Sequence, residues 1–208
     1  MLDDLNDLNK ALGDISSIRR QVARSTQFRG YGPVTLAATG VIAMVAAAAQ
    51  MRWLPDAADH VPAYLATWVS TAVVSAALIG THMRALTRRM HSGLADEMIH
   101  MAAEQFLPSA AAGTLVTLAI FFFAPSVEWL LPGLWQVIFS LGIFSSCRFL
   151  PRPMLAAGAW YLFTGLGCIA LGDARAFSPW AMGIPYGAGQ MLVAAILFFN
   201  RPEESDES

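Results

Sequence analysis

The apolar positions of this chain fall into six long runs, broken by short stretches of charge, proline or tryptophan. The runs extend from about Pro33 to Gln50, Pro62 to Met83, Leu107 to Ala124, Trp129 to Cys147, Met154 to Gly172, and Pro179 to Phe199. A bilayer hydrocarbon core of about 30 Å takes about 20 helical residues, so each run is of a length to span one. Three of the connections are very short, which favours antiparallel neighbours. The pattern predicts an all-α integral membrane protein with six transmembrane helices arranged as three antiparallel hairpins.

Two further helices are expected outside the bilayer. Leu5, Leu8, Leu12, Ile15, Ile18 and Val22 recur at spacings of three and four among Asp, Asn, Lys and Arg, the pattern of an amphipathic helix. Asp3, Asp4 and Asp7 stand at its start and Arg19, Arg20 and Arg24 at its end, each sign matched to the helix dipole. Its apolar stripe needs a partner, and Leu5, Leu8, Leu12, Ile15 and Val22 are the candidate contacts to a second copy of the chain or to a cytoplasmic protein. Between the second and third spans, RALTRRMHSGLADEMIHMAAEQF reads as a cytoplasmic or interfacial helix. The division is therefore an N-terminal helix over residues 1–30, a membrane domain over 31–200 that includes the connecting helix 84–106, and a disordered acidic tail over 201–208.

Charge sets the orientation. Eleven of the thirteen basic residues lie in the N-terminal tail, the second and fourth connections and the C-terminal tail, leaving Arg52 and Arg175 opposite. Basic residues are retained in the cytoplasm on insertion, so both termini are expected there, in a bacterial-type inner membrane. Trp53, Trp129 and Trp180 at the far span ends suit the aromatic belt where rings meet lipid headgroups. With 56% hydrophobic and 13% charged residues the chain departs from the soluble balance, and its net charge of −2 gives no basic field for nucleic acid. The acidic N-terminus lacks the early basic region and compact apolar core of a cleavable signal peptide.

An internal threefold repeat is also suggested. Phe28 to Gly40, Phe106 to Gly113 and Phe149 to Gly158 align as entries to the odd spans, and Pro62, Pro132 and Pro179 as starts of the even ones.

Candidate chemistry is sparse. Glu97, His100 and Glu104 share one helical face, and an E-x-x-H pair of this kind occurs in di-iron bundles, so these three are the candidate metal ligands. Inside the spans, ionisable residues are nearly missing, against the habit of proton- and ion-coupled transporters. Gln136 and Gln190 lie deeper and are expected to hydrogen-bond across helices, because lipid cannot satisfy an amide. Pro185, Gly187 and Gly189 are expected to weaken the outer half of the sixth span and expose backbone carbonyls there. Pro185, Tyr186 and Gln190, with Gln136 and its neighbour Trp135, are thus the candidate ligand-binding residues. The sequence shows no G-x-S-x-G, H-E-x-x-H or glycine-rich phosphate loop, and names no cofactor. Together these features predict a non-enzymatic protein that binds a hydrophobic ligand between its helices or a protein at its cytoplasmic face, in a sensing, regulatory or scaffolding role. A small transporter or channel for an uncharged or lipid-like solute is the alternative, and a membrane-embedded metal-dependent enzyme the third reading.

Overall fold

The computed structural model describes residues 32–90, 93–147 and 152–200, without the side chains of 86–90, 93–103 and 105. The expected N-terminal helix with Leu5, Leu8, Leu12, Ile15 and Val22, and the acidic tail, lie outside the described residues. Within them the chain forms six α-helices and no strand. These are α1 (Pro33–Trp53), α2 (Val61–Met90), α3 (Gly93–Phe123), α4 (Leu131–Ser146), α5 (Met154–Ala170) and α6 (Pro179–Phe199), with short 3₁₀ segments at Pro125–Leu130 and Ala174–Phe177. Five stretches are long and apolar enough to cross a membrane, namely Pro33–Trp53, Val61–Ala85, Phe106–Phe123, Pro125–Ser146 and Pro179–Phe199. The sixth, α5, is apolar throughout but has 17 residues.

Proline sets several starts. It occupies the first helical positions of α1, α4 and α6, where its missing N–H would have had no helical partner and its fixed φ is already that of the helix. The two 3₁₀ segments touch each other, and Ala57, Val61 and Tyr64 share a buried cluster with Phe177. The α1–α2, α3–α4 and α5–α6 connections therefore lie at one end of the bundle.

The most extensive helix pairs are α1 with α6 and α4 with α5, and both depend on glycine. A Cβ on Gly133 would stand 2.7 Å from the Gly165 carbonyl oxygen, and one on Gly165 would stand 2.8 Å from that of Gly133. A Cβ on Gly40 would stand 2.9 Å from the Gly187 carbonyl oxygen. Helices in lipid gain little from the hydrophobic effect between themselves, so close backbone approach at small residues is what holds such pairs.

The two pairs bury matching faces. Leu36, Thr39, Gly40, Ala43, Ala47 and Gln50 are buried on α1, and Met154, Ala157, Gly158, Tyr161, Gly165 and Cys168 are buried on α5, in the same register. By contrast, little of the apolar stretch of α2 and none of that of α3 is buried. Those faces carry Val69, Val73, Val74, Leu115, Leu118 and Phe122, all exposed.

Candidate ligand site at the bundle centre

Gln136 sits one turn into α4, buried, and points across to α6. Its Nε2 donates to the Ala181 carbonyl at 2.9 Å and lies 3.2 Å from the Pro132 carbonyl of its own helix. The Ala181 carbonyl is the one that the N–H of residue 185 would normally pair, and Pro185 has none. The amide of Gln136 thus supplies from another helix the donor that proline removes.

Pro185, Gly187 and Gly189 were expected to weaken the sixth helix, and it nevertheless runs unbroken from Pro179 to Phe199. Prolines are tolerated in membrane helices where a neighbour satisfies the freed carbonyl, and Gln136 does so here. The Pro185 carbonyl is itself engaged, accepting from Trp160 Nε1 at 2.9 Å.

Tyr186 and Gln190 lie beyond this point on α6. Tyr186 meets Tyr161 of α5 at 5.2 Å and Phe139 of α4 at 5.5 Å between ring centroids; Phe139 in turn meets Tyr161 at 4.8 Å and Phe106 of α3 at 5.1 Å. Four rings from four helices thus form one cluster, with the edge-to-face and tilted geometries that aromatic quadrupoles favour. Gly189 makes room for it, because a Cβ there would lie 2.5 Å from the Tyr161 hydroxyl. Tyr186 is half-buried, with Tyr161 and Phe139 on either side and the cluster of Tyr64, Trp68 and Phe177 packed against it.

The polar atoms around these rings are incompletely used. Gln136 Oε1, Gln190 Oε1 and the hydroxyls of Tyr161 and Tyr64 are buried without a hydrogen bond of good geometry. The Tyr161 hydroxyl lies against Gly189, next to Gln190, and Tyr64 of α2 belongs to the cluster on which Tyr186 packs. Each buried polar atom left unpaired costs about 1–3 kcal/mol, so several at one place need a reason.

Trp135 has a different part. Its Nε1 donates to Thr117 Oγ1 at 2.8 Å, tying α4 to α3, and its ring packs on the cluster of Tyr64, Trp68 and Phe177. Gln50 closes that cluster from α1. Its Nε2 donates to the Phe177 carbonyl at 2.8 Å and its Oε1 accepts from Trp68 Nε1 at 2.8 Å.

Gln136 thus meets α6 at Ala181 and Met182, Pro185 and Tyr186 follow one turn further on, and Gln190 lies another turn beyond, against Gly40; Trp135 packs on the Tyr64 cluster. Tyr64, Phe139, Trp160 and Tyr161 were not singled out from the sequence. The signal for Tyr64 and Tyr161 was available, since a phenol deep in an apolar helix raises the same question as a glutamine. The metal candidates Glu97, His100 and Glu104 fall on the first half of α3; Glu104 is exposed, and the side chains of Glu97 and His100 lie outside the described residues.

At the end of the bundle, Asp173 and Arg175 form an exposed pair. Asp173 Oδ1 accepts from the Arg175 backbone N–H at 2.8 Å and from its Nε at 2.9 Å, and Arg175 also donates to the Leu171 carbonyl at 2.7 Å. The guanidinium of Arg175, and then its backbone N–H, hold the Asp173 carboxyl below its ordinary range.

Set against protein-family models, curated proteins and solved structures, the chain matches none of them.

Proposed function

We propose that this chain is a non-enzymatic membrane protein that acts by binding, and that the bundle centre around Tyr186 takes a hydrophobic ligand. It spans the membrane six times as three antiparallel hairpins with both termini cytoplasmic, the orientation favoured by the distribution of Lys and Arg. The observation that carries the reading is the meeting of four aromatic rings from four helices, with the half-buried Tyr186 among them and the unpaired buried oxygens of Gln136 and Tyr64 on neighbouring turns. Binding sites for small molecules have this make-up, mostly apolar and aromatic with a few convergent polar groups. The ligand has no net charge, because the polar side chains near Tyr186 are phenols, amides and indoles.

The signal would pass to the cytoplasmic segments, where the N-terminal amphipathic stripe at Leu5, Leu8, Leu12, Ile15 and Val22 offers a contact for a second copy or a protein partner. The test is the melting temperature of delipidated protein titrated with neutral amphiphiles. A ligand at 100 times its Kd stabilises by about 2.7 kcal/mol, a readily measured shift. A concentration-dependent rise in wild type that is lost in Tyr186→Leu supports the reading. Equal shifts in both proteins, or none in either, would overturn it.

A further inference from the structure

We propose that the gap between α2 and α3 is the lateral entrance through which a lipid bearing a neutral, hydrogen-bond-donating headgroup reaches Tyr186 from the bilayer; this rests on the ligand reading above. The starting point is the repeat. When Gly40, Gly113 and Gly158 are matched, and likewise Pro62, Pro132 and Pro179, the buried faces of α1 and α5 coincide residue for residue. The joints they make coincide as well. Gly40 lies against Gln190 and Met191, and Gly158 against Phe144, which stands as far beyond Pro132 as Met191 stands beyond Pro179. Gly183 lies against Ala47, and Gly165 against Gln136, which again occupy matching places.

A threefold arrangement built this way has three joints between hairpins: α1 with α6, α5 with α4, and α3 with α2. The first two are the closest packed in the molecule, whereas α2 and α3 approach each other sparsely although they are adjacent in sequence. Four and eight residues beyond the proline, α4 and α6 bury Gln136 and Ser140, and Gly183 and Gly187. The matching residues of α2 are Ala66 and Ser70, and both are exposed. On α3 the residue matching the two joint glycines is Gly113, only half-buried, and a Cβ on it would have as its nearest neighbour Ile138 of α4 at 4.0 Å. Among the described residues the third joint is therefore open, with small side chains on both sides.

What lies behind the opening identifies what enters. Tyr64 projects inward from α2, fully buried, with its hydroxyl unpaired, in the cluster against which Tyr186 packs. Gln136 is also fully buried, and its amide oxygen is unpaired. An amide oxygen can only accept, so a group that meets that of Gln136 must donate, as a hydroxyl or an amide N–H does. A hydrocarbon chain is matched by the apolar walls outside, with Val73, Val74 and Leu115 exposed along α2 and α3. An amphiphile already dissolved in the bilayer meets both demands without crossing water.

The experiment uses the full chain in phosphatidylcholine vesicles with a diacylglycerol carrying a diazirine in one acyl chain, and maps photo-adducts by peptide mass spectrometry. Wild type is expected to be labelled near Tyr64 and Tyr186, and Ser70→Trp to lower that labelling rate several-fold. Leu155→Trp, at an exposed site on α5 away from the gap, is expected to leave it unchanged. Ser70→Leu serves as a milder block should Ser70→Trp fail to fold. Central labelling at the wild-type rate in the folded Ser70 variants would overturn the entrance while leaving the ligand site standing. Labelling confined to lipid-facing residues such as Phe163 in wild type would overturn both.

Discussion

Gln136 and Pro185 form a matched pair across two helices: the proline leaves the Ala181 carbonyl without its helical donor, and the glutamine amide donates to that carbonyl at 2.9 Å. The pair explains how α6 stays unbroken through a proline in an environment without water. It also leaves the amide oxygen of Gln136, one turn before Phe139 on α4, buried without a partner.

Removing the amide should therefore cost more when the proline is present than when it is not. Gln136→Leu is expected to destabilise the protein by about 1–2 kcal/mol, from the unpaired buried carbonyl. In a Pro185→Ala background, where residue 185 again has an N–H, the same change should be close to neutral. Reversible unfolding in bicelles over the double-mutant cycle measures the coupling, and strict additivity would refute the pairing.

The glycine joints make a contrast. Gly133→Ala drives a methyl toward the Gly165 backbone, which has no flexible end to yield, and should cost about 1–3 kcal/mol. Gly167→Ala, on α5 with nothing within 4 Å, should be neutral or stabilise by up to about 1 kcal/mol through helix propensity. Thermal denaturation of the two variants side by side decides this.

Gln50 holds three elements together, with α2 and the 3₁₀ segment Ala174–Phe177 joined through its amide. Gln50→Leu strands both the Phe177 carbonyl and the Trp68 indole N–H and should cost about 1–3 kcal/mol. A red shift of Trp68 fluorescence, with Trp68 as the sole remaining tryptophan, is the expected sign that this end has loosened.

At the same end, the pH dependence of Asp173 has a definite sign. Its pKa is depressed in the folded protein, so the contribution of its ionised form is present above the unfolded value of about 3.9 and is lost as pH falls through the lower folded value. Amide exchange at Arg175, corrected for its intrinsic pH dependence, should keep its protection from neutral pH down to about pH 4 and lose it below. Carbon-detected NMR titration should show Arg175→Ala returning the Asp173 pKa toward about 3.9.

Much of the helical layout was legible because apolar runs end at prolines and charges. The limits of α6 agree with the sequence at both ends, and α1 extends only through Met51, Arg52 and Trp53 beyond its apolar run. The need of Gln136 for a cross-helix partner was legible too, since it follows from the chemistry of an amide in lipid. That its partner is Ala181 was not, because the two are separated by 45 residues and meet only through the packing of α4 on α6. The continuity of α6 through Pro185 was hidden for the same reason: a local rule about proline is offset by a distant donor. Gln50 was read as the end of a span and not as a clamp, because its partners Trp68 and Phe177 are likewise remote in sequence.

The most direct test of ligand binding at the bundle centre is native mass spectrometry of the protein released from mild detergent, wild type beside a Tyr186→Leu, Gln190→Leu variant. Binding at the centre predicts a reproducible adduct of uniform mass on wild type, one per chain, that the variant lacks. A wild-type protein that sheds every adduct under conditions that preserve its fold, or an adduct retained equally by the variant, would contradict it.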